Sequence, residues 1–250
     1  MSAIDDAARL LAAADPLLLM SDFDGTLAPI AAHPDLAIAD PQATGALRDL
    51  ASLPRTMVAV ISGRGRDDLR RLLAEVPGLV LIGGHGAERG APVSIGDDQR
   101  ATLDAVVAAL EALAAGAVGA FVETKATSAA LHVRGTSDAD GQRLSAAALR
   151  GPGRLPGVRS IEGKGIVELT VSDADKGSAV QAMRADHPGG IAVFIGDDVT
   201  DEAGFAALRP PDFGIKVGDG DTAAPLRLPD QASVGPFLEE IAGLRAPASY

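Results

Sequence analysis

Four short apolar runs constrain the architecture most: Leu17–Met20, Met57–Ile61, Leu79–Ile82 and Ile191–Ile195, each followed at once by Gly or Ser. They are short, rich in leucine and β-branched residues, and bounded by turn residues. That combination favours strands buried on both faces of a parallel sheet. Between them the spacing predicts helices. Asp40-Pro41 reads as an N-cap with proline at the first helical position, followed by Leu47, Leu50 and Leu53 at helical spacing. Gly65 to Ala74 carries Asp67 and Asp68 in its first turn and Leu69, Leu72 and Leu73 on one face. Such strand–helix alternation indicates an α/β fold with ligands at the carboxyl ends of its strands. Phe213–Val217 reads as a further short strand and Val234–Leu244 as a closing helix.

The middle of the chain breaks this rhythm. Asp97 to Leu113 is a long amphipathic helix candidate, followed by strand-like runs at Val118–Lys125 and Ala129–Arg134. A helix around Ala139–Leu149 comes next, then the runs Val158–Ile161 and Ile166–Val171 on either side of the turn Glu162-Gly163-Lys164-Gly165. A helix–hairpin–helix–hairpin order is unlike the flanking units. The expected division is therefore a core of residues 1–96 plus 174–250 and an inserted domain of residues 97–173, with hinges near Ser94–Gly96 and Ser172–Asp175.

Charge and composition exclude several chemistries. The chain has no cysteine, which removes thiol catalysis, zinc–thiolate sites and redox switching. Its net charge of −12 and its sequence pI near 4.7 argue against nucleic acid or an anionic membrane as partner. No apolar run approaches the roughly 20 residues that span a bilayer. Met1 to Ala14 carries Asp5 and Asp6 and a single arginine, a poor signal peptide. The expectation is a soluble cytoplasmic protein acting on a small molecule.

The strand ends carry the chemistry. In Asp22-Phe23-Asp24-Gly25-Thr26 the two aspartates leave the strand on one side while Phe23 points back. Like charges so placed repel unless a cation sits between them, and Mg²⁺ suits a carboxylate pair that also meets a phosphate. Asp24-Gly25 alone is equally an ordinary turn signal. Gly196-Asp197-Asp198-Val199-Thr200-Asp201-Glu202 places four carboxylates after another strand. Here Asp198 can cap a helix, Asp201 and Glu202 can serve its first turn, and Asp197, nearest the strand, faces the metal. Ser62-Gly63-Arg64 puts a hydroxyl and free amides at a helix start, a ready anion site that is also a common cap. Lys176 opens a helix, where a cation is locally unfavourable unless an anion offsets it.

These four elements, in this order, resemble the motifs of the haloacid dehalogenase superfamily of phosphatases. The resemblance implies an α/β fold: a Rossmann-like parallel-sheet core with an inserted α+β cap domain. It also implies Asp22 as nucleophile through an aspartyl-phosphate and Asp24 as general acid/base. Mg²⁺ would be held by Asp22, the backbone carbonyl of Asp24 and Asp197, while Lys176 and the Ser62-Gly63-Arg64 segment would bind phosphate.

Within the inserted domain, Glu123 and Lys125 share one strand face, as do His132 and Arg134, and Glu168 lies between the apolar Val167 and Leu169. Alternation of this kind is also the pattern of a solvated sheet face. The particular string is similar to trehalose-6-phosphate phosphatases: Gly84-His85-Gly86-Ala87-Glu88, Glu123-x-Lys125 with His132-x-Arg134, Gly163-Lys164 with Glu168, and Gly196-Asp-Asp-Val-Thr-Asp-Glu202. The match runs over roughly residues 17–205. It implies that Glu123, Lys125, Arg134 and Glu168 hydrogen-bond sugar hydroxyls when the cap closes, with His85 and Glu88 near the hinge. What the resemblance implies is a Mg²⁺-dependent phosphatase of trehalose biosynthesis; without an attached synthase-like domain it is expected to be stand-alone, and a monomer. A phosphatase for sucrose 6-phosphate or a glycosyl-phosphoglycerate is the alternative within the enzyme class. A non-catalytic sugar-phosphate-binding regulatory module is the alternative outside it.

Overall fold

In the computed structural model, which describes residues 2–31, 33–74, 76–90 and 93–247, the chain divides by contacts into two compact units. One is Met1–Gly86 with Asp175–Tyr250, the other Ala87–Ala174. The first junction lies ahead of the 96/97 position read from sequence, because the break in rhythm shows only where the long helix begins. The second falls at 174/175.

The first unit contains, in order, α1 (Ala3–Ala13), β1 (Leu17–Ser21), α2 (Pro41–Ser52), β2 (Thr56–Ile61), α3 (Arg66–Leu72) and β3 (Val80–Gly83). The second holds β4 (Glu88–Arg89), α4 (Asp97–Ala114), β5 (Phe121–Thr124), β6 (Ser128–His132), α5 (Asp138–Arg150), β7 (Arg159–Gly163) and β8 (Ile166–Thr170). The chain then returns to the first unit through α6 (Lys176–Asp186), β9 (Ile191–Gly196), α7 (Val199–Ala207), β10 (Phe213–Val217), β11 (Leu226–Leu228) and α8 (Val234–Arg245).

The first unit's strands lie in the order β11-β10-β9-β1-β2-β3, and every pairing among them is parallel. β1 is buried along its whole length, and its side chains divide between two cores at a period of two. Leu17 and Leu19 join Val58, Val60, Val193 and Ile195 beneath helix residues Leu11, Leu47, Leu50, Leu238 and Ile241. Leu18 and Met20 join Ala59, Ile61 and Phe194 against Val180, Met183 and Phe205 on the other side. The two cores explain why the strands read as continuous apolar runs. From β1 the chain builds outward through β2 and β3 in one direction and, after the insertion, through β9, β10 and β11 in the other. The switch of direction lies between β1 and β9, where such sheets open a crevice at their carboxyl ends.

Asp40 caps α2 as its sequence predicts, its Oδ1 accepting from the amides of Gln42 and Ala43 at 2.8 and 3.0 Å. Helix α1 and strand β11 have no counterpart in the sequence reading. The start of α1 is fixed by a reciprocal Ser2–Asp5 capping box, a signal short enough to pass as loop.

The second unit is an antiparallel sheet in the order β5-β6-β8-β7. Leu131, Val167 and Leu169 pack with Leu103, Val106, Leu110, Leu144 and Ala148, so α4 and α5 cover one face. The other face carries the charged residues. No helix among the described residues is long and apolar enough to cross a membrane.

Candidate active site

The carboxyl ends of β1 and β9, adjacent strands paired Ser21 to Ile195, bring Asp22 and Asp197 together. The Asp22 amide donates to the Ile195 carbonyl at 2.8 Å, which extends the ladder by one residue and fixes where the carboxylate leaves the sheet. Lys176, at the first position of α6, is 2 % exposed and lies between two carboxylates, 2.9 Å from Asp22 Oδ1 and 2.7 Å from Asp201 Oδ1. The anion that offsets a lysine at a helix start is thus, in part, protein carboxylate. Asp201 does more than serve its helix. Its Oδ2 accepts from the amides of Asp197 and Asp198, both at 2.9 Å, while its Oδ1 takes the lysine.

Gly25 is required by both backbone and space. It adopts φ +81°, and a Cβ there would stand 2.2 Å from Asp197 Oδ2. Across the switch point, buried Lys216 on β10 donates to the Asp197 carbonyl. This lysine escaped the sequence reading, although a charge inside Phe-Gly-Ile-Lys-Val was the signal that could have found it.

The carboxylates of Asp22, Asp197 and Asp201 each offer an oxygen, and these oxygens lie within 4.8 Å of one another. Burial is the largest influence on Asp22 and raises its pKa; Lys176 opposes this, but Asp201, Asp197 and Asp24 push it up further, and the net shift is well upward. Asp197 is likewise raised to about 6, by burial first and then by the charge of Asp201. Burial would lower the pKa of Lys176, but Asp201 and Asp22 outweigh it and keep the ammonium charged. An excess of like charge with hard oxygen donors is the setting in which a divalent cation is favourable, so the site fits a metal. Of the three acids, Asp201 already has both oxygens engaged, by Lys176 and by two amides, which leaves Asp22 and Asp197 as the carboxylates to face an ion. The Asp24 carboxylate, by contrast, is engaged by an arginine.

That arginine is Arg64. Its Nε and Nη2 donate to the two oxygens of Asp24 at 2.7 and 2.8 Å. Nη1 donates to Asp68 at 2.6 Å, and Nη2 also reaches the Pro34 carbonyl at 3.1 Å. Ser62 is buried at the end of β2, where its Oγ accepts from the Arg64 amide at 3.2 Å. Gly63 has no room for a side chain: a Cβ would lie 2.5 Å from His85 Nε2. His85 is itself in the left-handed region at φ 54°, and its amide donates to the Ser62 carbonyl at 2.9 Å. The Gly84-His85-Gly86 segment is therefore tied to the Ser62-Gly63-Arg64 loop.

In the second unit, register aligns the charged residues. Glu123 stands opposite Ala130, and Ala130 opposite Glu168, so both glutamates share the face away from α4 and α5. Glu168 is 4 % exposed and accepts from Lys125 Nζ at 2.9 Å and Ser128 Oγ at 2.6 Å. Glu123 Oε2 lies 2.9 Å from His132 Nε2, and the His132 ring stacks on Phe121 with centroids 4.3 Å apart. Burial would raise the pKa of Glu123, but the His132 hydrogen bond and the charge of Lys125 outweigh it and the net shift is downward. Arg134 lies past the end of β6, exposed, and donates to the Lys164 carbonyl at 2.7 Å. Glu123, Lys125 and Glu168 are brought together; Arg134 stands at the rim with the Lys164 turn.

The sequence profile of the trehalose-phosphatase family matches residues 20–231, a stretch that contains both groups of residues. The chain belongs to the trehalose-phosphatase family. Among its relatives, the trehalose-6-phosphate phosphatase of Escherichia coli is 34% identical over 233 residues, covering 88% of this chain and 84% of that one. An uncharacterized glycosyl hydrolase of Mycobacterium tuberculosis is 37% identical over 94% of this chain, which spans only 19% of that longer protein. The C-terminal domain of the Candida albicans trehalose-6-phosphate phosphatase superposes with a TM-score of 0.83 at 20% identity, covering 97% of both chains. That likeness shows a shared fold, here a parallel-rich α/β unit and a second unit built on an antiparallel sheet. Phosphatases of this fold generally use a metal ion, in keeping with the Asp22–Asp197–Asp201 cluster of this family member.

Proposed function

We propose that the chain is a Mg²⁺-dependent phosphatase that hydrolyses trehalose 6-phosphate to trehalose and phosphate in the cytoplasm, as a monomer. The observation that carries this reading is the buried Asp22–Asp197–Asp201 cluster with Lys176 inside it, in a chain of this family. A Mg²⁺ ion held by Asp22, Asp197 and the backbone carbonyl of Asp24 would neutralise phosphate charge.

The protein's own residues do the rest. An Asp22 oxygen attacks phosphorus, forming an aspartyl-phosphate as the bond from phosphorus to the sugar oxygen breaks. Asp24 donates its proton to that oxygen, then removes one from the water that attacks phosphorus of the intermediate; the bond from phosphorus to the Asp22 oxygen breaks, phosphate leaves, and both aspartates end as they began. Lys176 holds Asp22 and a phosphate oxygen, and Ser62 with the Gly63 and Arg64 amides receives the others. On the second unit, Glu123, Lys125 and Glu168, with Arg134 at the rim, hydrogen-bond the sugar hydroxyls. A polar cluster of fixed geometry suits a polyhydroxylated ligand, because an analogue lacking a hydroxyl leaves buried partners unpaired.

The test is phosphate release from a panel of sugar phosphates, with Mg²⁺ and with chelator. Strong preference for trehalose 6-phosphate, lost on chelation, is the expected result. Metal-dependent release from sucrose 6-phosphate or a glycosyl-phosphoglycerate instead would overturn the substrate, and no release from any would leave a binding module.

A further inference from the structure

We propose that Arg64 is a positioning residue for Asp24 and takes no part in binding the phosphate with its guanidinium. The inference rests on the phosphatase reading above and changes the role its motif suggests. Arg64 is 8 % exposed, and each of its three side-chain nitrogens already donates within the protein. Two of them grip both oxygens of Asp24, one of these two also reaching the Pro34 carbonyl, and the third holds Asp68. Its Cζ lies 5.3 Å from the centroid of the buried Phe23 ring, which limits tilt of the guanidinium. Asp68 is in turn held by Arg71, whose Nη2 donates to its second oxygen at 2.5 Å.

The order of support thus runs from Arg71 through Asp68 and Arg64 to Asp24. A fork that grips both oxygens fixes the plane of the carboxylate as well as its position. Asp24 needs such a fixture. It sits between Phe23 and Gly25, where the chain turns sharply, and it is repelled by the acid cluster beside it. A proton donor that must meet one oxygen of a leaving group works only when held in register with it. Withdrawing the guanidinium to serve a phosphate would leave Asp68 and Asp24 without their shared partner.

The test pairs Arg64→Met and Arg64→Lys with Asp24→Asn and the double variant Asp24→Asn/Arg64→Met. If Arg64 acts through Asp24, Arg64→Met lowers kcat by about 10²-fold, within the range of general acid–base effects. The same change costs less than about 2-fold in the Asp24→Asn background, since residues acting as a unit are not additive. Affinity for inorganic phosphate, measured by calorimetry with Mg²⁺ present, stays within about 2-fold of the parent in the Met variant, as expected where no phosphate contact is lost. Asp68→Asn, milder for folding, gives the same signature at about 3- to 10-fold in kcat, the scale of one supporting contact. Phosphate affinity lowered tenfold or more, or an undiminished effect in the Asp24→Asn background, would overturn the assignment. A parent protein that neither binds phosphate nor releases it from any ester would instead overturn the phosphatase reading, and the two failures are distinguishable.

Discussion

The acidic cluster at the end of β1 and the charged face of the β5-β6-β8 sheet are both buried and both rich in carboxylates, yet they are balanced differently. On the sheet face each acid has a basic partner: Glu168 with Lys125, Glu123 with His132. At the strand ends Asp22, Asp197 and Asp201 crowd around Lys176, with Lys216 reaching only the Asp197 carbonyl, and the pKa values of Asp22 and Asp197 are still driven up. The difference teaches how to separate a self-contained polar cluster from one that calls for a cation. A balanced cluster is complete in itself and offers hydrogen bonds of fixed direction. An unbalanced one is incomplete until a cation arrives, and that is where charge can be moved.

The comparison breaks first at Asp22. Asp22→Asn should lower turnover by at least about 10³-fold, as loss of a nucleophile does, while the protein stays folded because one repelling charge has gone. Retention of a tenth of the parent's turnover would remove Asp22 from the nucleophile's place. The balanced face should fail the opposite way. Lys125→Met leaves Glu168 buried without its cation and should cost about 2–4 kcal/mol in chemical denaturation. Glu123→Gln, on a more open pair, should cost about 1 kcal/mol or less. Equal losses would mean the two pairs are equally desolvated.

The smallest effect is the dependence of stability on pH without metal. Asp197 titrates at about 6 in the fold against 3.8 for an ordinary aspartate. Between these values the folded state holds the extra proton, so this group stabilises the fold at low pH and that contribution is lost as pH rises through about 6. Added Mg²⁺ should therefore raise the melting temperature more at pH 7.5 than at pH 5, by a difference on the order of 1–2 kcal/mol in stability. An equal response at both pH values would show that Asp197 does not face the ion. Asp197→Asn should raise the metal-free melting temperature at pH 7.5 and erase the response.

Much of this is legible in sequence because parallel strands are short and end abruptly. Ser62 follows an apolar run directly, and Asp22, Asp24 and Asp197 follow theirs within four residues, so the sheet delivers them to one edge without long-range information. Alternation places Glu123 with Lys125 on one strand face and Glu168 opposite its apolar neighbours, but it equally describes a solvated sheet face, and the family resemblance is what singles these residues out. Partner choice is what escaped. Asp201 has the position of a first-turn helix acid, and nothing local reveals that its second oxygen takes Lys176. Arg64 looks like part of an anion loop, and its pairing with Asp24 depends on how two separate strand ends meet. Lys216 lies in a strand whose other side chains are apolar, so periodicity marks it only as strand. Each is a contact between distant segments, which one-dimensional periodicity does not encode.

The split of the parallel sheet around an insertion also bears on the order in which the molecule assembles. Thr26 and Asp197, 3.5 Å apart in space, are 171 positions apart in the chain, and closing so long a loop costs about 4–5 kcal/mol of chain entropy. Residues Ala87–Ala174 carry all strands of their own four-stranded sheet on one continuous stretch. On a ribosome the charged face of this sheet is fully encoded while Asp22 still has no acidic neighbour from its cluster but Asp24. The charges whose repulsion marks the site meet only when β9 docks beside β1, so the least favourable contacts in the protein are deferred until most of the favourable ones exist to hold them.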